Sequence, residues 1–317
     1  MSREHAVQVE PVDVSLAPAA AMPLTPHARD RALSAAGCPT ATRAPDTGRM
    51  EWTLDDYDLD VFTDVAAGFG QSRYAYVVTP NVDHLIRLHD DMPFRALYAE
   101  AGFVLLDSRF LARLLRLAKG VDLPVCAGSD LVARLFSTVI RPDDRLVLIG
   151  GSDAQVRALT ARYGLTGLAH HDPPMGFIQD PDAVEACLHF IESHSPFRFC
   201  LLAIGAPQQE IIANHLQRRG RARGLALCIG ASVNFITGVQ KRAPQWMQRN
   251  GVEWIYRLLQ EPGRLARRYL VRGPRVFGLL PRTDIVLRRG AAADIAPDAH
   301  APADSTGPVP VSRPAQH

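Results

Sequence analysis

The 317-residue chain has almost no lysine: Lys119 and Lys241 stand against 33 arginines. Cysteine is also scarce. Its five residues (Cys38, Cys126, Cys187, Cys200, Cys228) are odd in number and widely spaced, and none forms a CxxC pair. Neither a zinc site nor a disulfide framework is therefore indicated. Four of them lie in or beside apolar runs, as buried thiols usually do. No apolar run reaches the ~18 residues a membrane span needs. The N-terminus lacks a basic segment followed by an apolar core, so no secretory signal is expected and a reducing cytoplasm fits. GxGxxG and GxxxxGK[ST] are absent, which removes the usual dinucleotide and P-loop fingerprints. Net charge is small too, +2 from 35 basic and 33 acidic residues. Taken over the whole chain, that argues against nucleic acid or an anionic membrane as partner. What is present, 47% hydrophobic and 21% charged residues, is ordinary globular composition and excludes a wholly disordered or collagen-like chain.

The composition shifts twice along the chain. Residues 1–50 hold eleven Ala and six Pro without periodicity, and residues 291–317 hold five Pro among 27. Both are expected to be disordered, since neither can bury enough apolar surface to offset ordering entropy. Between them, strand-like runs alternate with helix-like ones. The strands are expected at 74–79, 102–106, 145–149, 165–170, 197–204 and 225–229. They are short and nearly continuously apolar, as strands buried on both faces are. Helical patterns are expected at 82–101, 110–117, 130–140, 154–163, 180–193 and 208–221. This alternation predicts an α/β fold: an open, mostly parallel, Rossmann-like sheet with helices on both faces.

Polar groups cluster just after the strands, where parallel sheets bind ligands. Thr79-Pro80-Asn81 follows the first expected strand and Asp107 the second. Gly150-Gly151-Ser152, Gly205-Ala206-Pro207-Gln208-Gln209-Glu210 and Gly230-Ala231-Ser232 follow three more. Each has a plainer reading: Thr79, Asn81 and Asp107 could cap helices, Gly150-Gly151 could be a tight turn, and Gln208–Glu210 a solvated first turn. Five such loops on one rim favour a site. His170-His171-Asp172 suggests a metal, but adjacent strand side chains point to opposite faces, which favours a strand-end role. His84 and His89 share a helix face poorly and are not ligand candidates.

These loops, in this order, resemble the WecG/TagA/CpsF family of glycosyltransferases (glycosyltransferase family 26). The resemblance runs from about Val77 to Arg268. It also rests on Gly128-Ser129-Asp130-Leu131, Lys241-Arg242-Ala243-Pro244 and Gly251-Val252-Glu253-Trp254-Ile255-Tyr256-Arg257-Leu258. It implies an inverting transferase that moves an N-acetylhexosamine-type sugar from a UDP-sugar to a polyprenyl-diphosphate-linked acceptor. That acceptor would lie at the cytoplasmic face of the membrane, in surface polysaccharide or exopolysaccharide assembly. Carried over by motif, Asp107 would be the general base, with Thr79 and Asn81 beside it and Gln209 on the nucleotide-sugar. Gly150, Gly151, Gly205, Gly230 and Ser232 would line the substrate loops. Arg257, Arg264 and Arg267 would meet diphosphate and membrane. No Asp-x-Asp stands beside these loops, so no metal or other cofactor is expected, and arginine forks would steady the departing phosphates.

The chain departs from the family pattern at three places. Ser108 follows Asp107 where a glycine-rich turn is usual, Val125 stands where an arginine is usual, and Asn234 replaces an Asp. Arg109, two residues past Asp107, is the candidate replacement cation. A catalytically impaired binding protein and, less favoured, a nucleotide-dependent oxidoreductase are the alternatives.

The low net charge conceals an uneven distribution. Residues 251–290 carry nine arginines against Glu253, Glu261 and Asp284, a balance of +6 that leaves −4 for the rest. Apolar and aromatic residues interleave with the arginines, as in interfacial membrane binders. The expected organisation is a catalytic domain over 51–250 and a helical membrane-associating appendage over 251–290. Nucleic acid is not an expected partner, since no reader motif accompanies the charge.

Overall fold

The computed structural model describes residues 49–240 and 242–288, the Arg264 side chain excepted. The tails expected at 1–50 and 291–317 thus lie outside the described residues, apart from Arg49 and Met50. After strand β1 (Met50–Asp55) and helix α1 (Leu59–Gly68), the chain enters a parallel sheet. Its strands are β2 (Tyr74–Val78), β3 (Phe103–Val104), β4 (Leu146–Ile149), β5 (Leu168–His171), β6 (Phe199–Leu202) and β7 (Gly224–Cys228). They lie in the order β3-β2-β7-β6-β4-β5, every pair parallel. The expected α/β architecture is what forms.

Alternation along the strands explains why helices cover both faces. Tyr76, Val78, Val147, Ile149, Cys200, Leu202, Ala226 and Cys228 belong to one buried cluster. Their neighbours Ala75, Val77, Leu146, Leu148, Phe199, Leu201, Leu225 and Leu227 belong to another. Burying a side chain of this size contributes about 1.5–3 kcal/mol. Gly224 enters β7 at φ +120°, where a Cβ would fall 2.0 Å from the Phe197 carbonyl oxygen. Only glycine lets the two chains approach so closely.

The helix expected over 82–101 is two helices, α2 (Val82–Asp90) and α3 (Met92–Ala99). Asp91 is extended (φ −137°, ψ 96°), and its carboxylate accepts from Phe94 N at 3.2 Å, so it ends α2 and caps α3. Pro93, in the first turn of α3, could not continue α2. The remaining core helices are α4 (Arg109–Lys119), α5 (Gly128–Thr138), α6 (Asp153–Tyr163), α7 (Pro181–Ser193) and α8 (Gln208–Arg219).

Beyond β7 come the short helices α9 (Ser232–Ile236), α10 (Gln245–Arg249), α11 (Glu253–Gln260) and α12 (Pro262–Ala266). A π-helical stretch (Arg267–Arg272) and α13 (Arg275–Leu279) follow. The expected helical appendage over 251–290 is therefore corrected at its end: residues Thr283–Arg288 form a strand, β8, parallel to β1. Met50, Trp52 and Leu54 bury one face of β1 while Glu51 faces solvent. Asp55, fully buried, takes the Arg288 fork at 2.5 and 2.7 Å and accepts Val104 N at 2.6 Å. The appendage is thus fastened to the sheet edge. Among the described residues no helix is long and apolar enough to cross a membrane.

Candidate active site

A cavity of about 520 Å³ opens beyond the carboxyl ends of β2, β3, β6 and β7. Its floor comes from the loops that follow these strands: Thr79 and Asn81, Asp107, Gly205 and Gln209, and Gly230–Ser232. Its other wall carries Arg257, Arg267, Arg268 and Arg272, with Arg87 of α2 between.

The placement of Asp107 follows from who caps which helix. Ser108, not Asp107, caps α4, accepting from Leu111 N at 3.2 Å. That leaves the Asp107 carboxylate free of its own helix, and its Oδ1 accepts instead from Gly128 N, at the first turn of α5, at 2.7 Å. The fit there is tight, since a Cβ on Gly128 would come within 3.0 Å of Thr79 Oγ1. Asp107 is only partly covered where it opens on the cavity, yet protein surrounds its carboxyl, and burial pushes its pKa up to about 6. The Gly128 amide, the Arg257 charge and the Asn81 amide pull the other way. A carboxylate poised near neutrality is a stronger base than a surface aspartate.

Asn81 caps α2, its Oδ1 accepting Asp83 N at 3.1 Å. His84, at the third helical position, closes on this cap: its Nδ1 lies 3.0 Å from Asn81 Oδ1 and 3.4 Å from Asn81 N. Burial drives the His84 pKa down to about 3, so the ring is neutral. Its Nε2 faces Glu210 Oε1 at 3.8 Å. Glu210 is 1% exposed, and burial raises its pKa. The Gln209 amide is engaged at both ends: Oε1 accepts Gly230 N at 2.9 Å and Nε2 donates to Glu210 at 3.0 Å. It therefore fixes the β7 turn as well as lining the cavity.

Three arginines converge on Asp83: Arg87 at 3.3 Å, Arg268 at 3.8 Å and Arg272 at 3.9 Å. Burial raises the Asp83 pKa, but Arg268, Arg87 and their neighbours outweigh it and hold the carboxyl below its ordinary value. Asp83 is thus the fixed anion around which two appendage arginines gather. Arg257 reaches the wall from α11, its guanidinium 4.9 Å from the Phe235 ring centre, with Glu253 at 3.6 Å.

Residues 50–290 match the family model of the Glycosyl transferase WecG/TagA/CpsF family. The chain belongs to that family. The protein is accordingly a glycosyltransferase of cell-surface polysaccharide synthesis, with a nucleotide-sugar donor and an acceptor.

In this WecG/TagA/CpsF chain the structure brings together Asp107, Thr79, Asn81, Gly205, Gln209, Gly230, Ser232, Arg257 and Arg267. It does not bring Arg109 to the cavity lining. Arg109 pairs with Asp130 at 3.0 Å, and Asp130 also takes Arg242 at 2.5 Å. Gly150 and Gly151 are likewise outside the lining. Both take positive φ in a turn whose Ser152 caps α6, and a Cβ on Gly150 would sit 2.9 Å from Ile204. Asn234 accepts from Gln155 Nε2 at 2.7 Å, tying that turn to α9 rather than meeting a ligand. His170 lies 3.1 Å from the Gly151 carbonyl and His171 packs on Phe190, which suits strand-end roles. The Arg264 side chain and Lys241 lie outside the described residues. Sequence reading missed Asp83, His84, Arg87, Arg268 and Arg272 as lining residues. The Asn81-x-x-His84 capping spacing and the Asp83–Arg87 and Arg268–Arg272 spacings of four were the available signals.

Proposed function

We propose that the cavity transfers an N-acetylhexosamine-type sugar, with inversion, from a UDP-sugar to a polyprenyl-diphosphate-linked acceptor. The observation that carries this is Asp107: a carboxylate of raised pKa, held by a backbone amide, facing a wall of arginines. Near pH 7 it is mostly ionised and can take the proton of the acceptor hydroxyl. As that oxygen bonds to the anomeric carbon, the bond from this carbon to the phosphate oxygen breaks. UDP leaves with the electron pair. Direct displacement inverts the centre. The added negative charge falls to Arg257, Arg267 and Arg268, whose forks suit phosphate oxygens, so the reaction draws on no metal or other cofactor. Thr79 and Asn81 order the floor around the base.

The acceptor's lipid would be met by the appendage. Leu259, Leu270, Val271 and Phe277 are 58–74% exposed beside its arginines. Basic, apolar-faced segments of this kind bind anionic interfaces without spanning them. This supports a peripheral position at the membrane, which the proposed reaction would put on its cytoplasmic face.

The test is UDP release from a panel of UDP-sugars with a short-chain lipid-diphosphate acceptor. Asp107→Asn should lower turnover about 10²–10⁴-fold, the usual contribution of a general base. In the wild type the pH profile should fall as pH drops through about 6, because protonation removes the base. Wild-type rates in Asp107→Asn, or a product that keeps the donor's anomeric configuration, would sink the proposal.

A further inference from the structure

We infer that His84 is a positioning residue for the base: its Nδ1–H holds the Asn81 carbonyl oxygen, so that the Asn81 amide group is turned toward Asp107. The inference rests on Asp107 being the base.

Geometry comes first. Asn81 Oδ1 collects Asp83 N at 3.1 Å, His84 Nδ1 at 3.0 Å and Arg268 Nη2 at 3.4 Å. With its oxygen occupied from the helix side, the NH₂ group is the end left for Asp107, and its hydrogen bonding lowers the Asp107 pKa. His84 can serve this way only if Nδ1 carries the proton. The contact to Asn81 Oδ1 is shorter than that to Asn81 N, which would need Nδ1 as acceptor. A neutral ring protonated at Nδ1 leaves Nε2 bare, facing Glu210.

The surroundings keep the ring neutral and fixed. It is 9% exposed and packs against Phe94 and Tyr98 of α3 at 6.1 and 6.3 Å between centres. The charged groups that face it are Asp83 and Arg87 from its own helix, Arg268 from the appendage and Glu210 from α8. Burial and the two arginines outweigh Asp83 and hold the imidazole uncharged. Glu210 in turn is faced by Gln209, Arg87 and Tyr98, and burial favours its neutral carboxyl. Around Asp107 stand Arg257, Glu253, the Gly128 amide and Asn81. Removing a neutral histidine changes none of these charges. A shift in the Asp107 titration would therefore report the orientation of Asn81.

The experiment titrates the Asp107 carboxyl by carbon-detected NMR in the substrate-free enzyme, assigned by loss of its signal in Asp107→Asn. His84→Ala should move the midpoint upward by about 0.5–1 pH, because a hydrogen bond to the charged form is lost. The acid limb of kcat/KM should move with it. His84→Gln, which supplies both an amide donor for Asn81 Oδ1 and the usual capping-box acceptor, should restore most of the shift. Asn81→Ala should shift the midpoint likewise, and adding His84→Ala to it should add little. A purely structural role would lower Tm and leave the midpoint in place, and that result overturns the inference. Nitrogen NMR of the wild type is the second check: a neutral, Nδ1-protonated ring between pH 6 and 8 supports it, and a cationic or Nε2-protonated ring overturns it. Because the titration needs no turnover, it remains readable if Asp107→Asn proves active and the base assignment fails.

Discussion

The sheet and the appendage use apolar residues in opposite ways. Strands β2, β4, β6 and β7 are buried at every position, and their side chains supply both core clusters. In the appendage, α11 and the π-helical stretch bury none of their described residues, while Leu259, Leu270 and Phe277 face solvent. Among its described residues, Leu265, Val276 and Leu280 are the buried apolar anchors. Polar ties do the rest: Arg275 on Asp90, Gln240 on Glu261, Arg268 and Arg272 on Asp83, and the β1–β8 clasp. The floor of the active site is therefore built by packing, while its arginine wall is held by charge and hydrogen bonds.

The sharpest way to break that comparison is at the clasp. Asp55 holds Arg288 and the Val104 amide, and Arg288 also donates to the Gly102 carbonyl at 2.9 Å. Removing one partner of a buried pair leaves the other uncompensated and costs about 3–5 kcal/mol. Arg288 is half-buried, so the lower part of that range is expected for Asp55→Ala. Urea unfolding should show the loss as a lower midpoint. Donor KM should rise as well, since the wall arginines lie between α11 and β8. A destabilised enzyme with unchanged donor KM would show that the wall does not depend on the clasp.

A smaller effect is expected from the outward apolar face. Leu259→Ser, Leu270→Ser and Phe277→Ser together should weaken sedimentation with anionic vesicles by about 10–100-fold, from lost interfacial burial. Added salt should weaken wild-type binding too, each arginine contributing on the order of 1 kcal/mol near the surface. Turnover on a water-soluble short-chain acceptor should stay near wild type. Unchanged sedimentation would remove the membrane role from the appendage.

The same contrast explains what was legible in the sequence. Sheet strands announce themselves by continuous apolar runs, and the loops after them carry Asp107, Thr79, Asn81 and Gln209 in recognisable order. The β1–β8 pair did not announce itself, although Met50, Trp52 and Leu54 alternate and residues 283–288 include Ile285, Val286 and Leu287. Pairing strands some 230 residues apart leaves no local signal, and the arginines around β8 read as a helical face. Arg109 was the natural cation because it neighbours Asp107 in sequence. Asp130, brought in by α5, takes that charge, and the wall is filled from Arg268 and Arg272 instead. Sequence proximity ranks candidates, but only packing assigns each arginine its anion.

The smallest prediction concerns the joint between the two regions. Phe235 belongs to α9, directly after β7, and its helix is seated on the core by the buried Val233 and Ile236. Arg257 of the appendage lies over that ring at 4.9 Å and Arg242 at 5.8 Å. Such contacts are worth about 0.5–1 kcal/mol where partly exposed. Phe235→Leu keeps an apolar side chain of similar bulk but removes the aromatic face that steers the guanidinium toward the cavity. Donor kcat/KM should therefore fall about two- to fivefold with little change in Tm, less than for Arg257→Ala, which removes the charge itself. Donor kcat/KM at the wild-type level in Phe235→Leu would mean that Arg257 finds its place without the core's help. The wall would then be organised from within the appendage, by Glu253 and its own helix, and the division between packed floor and tethered wall would be complete.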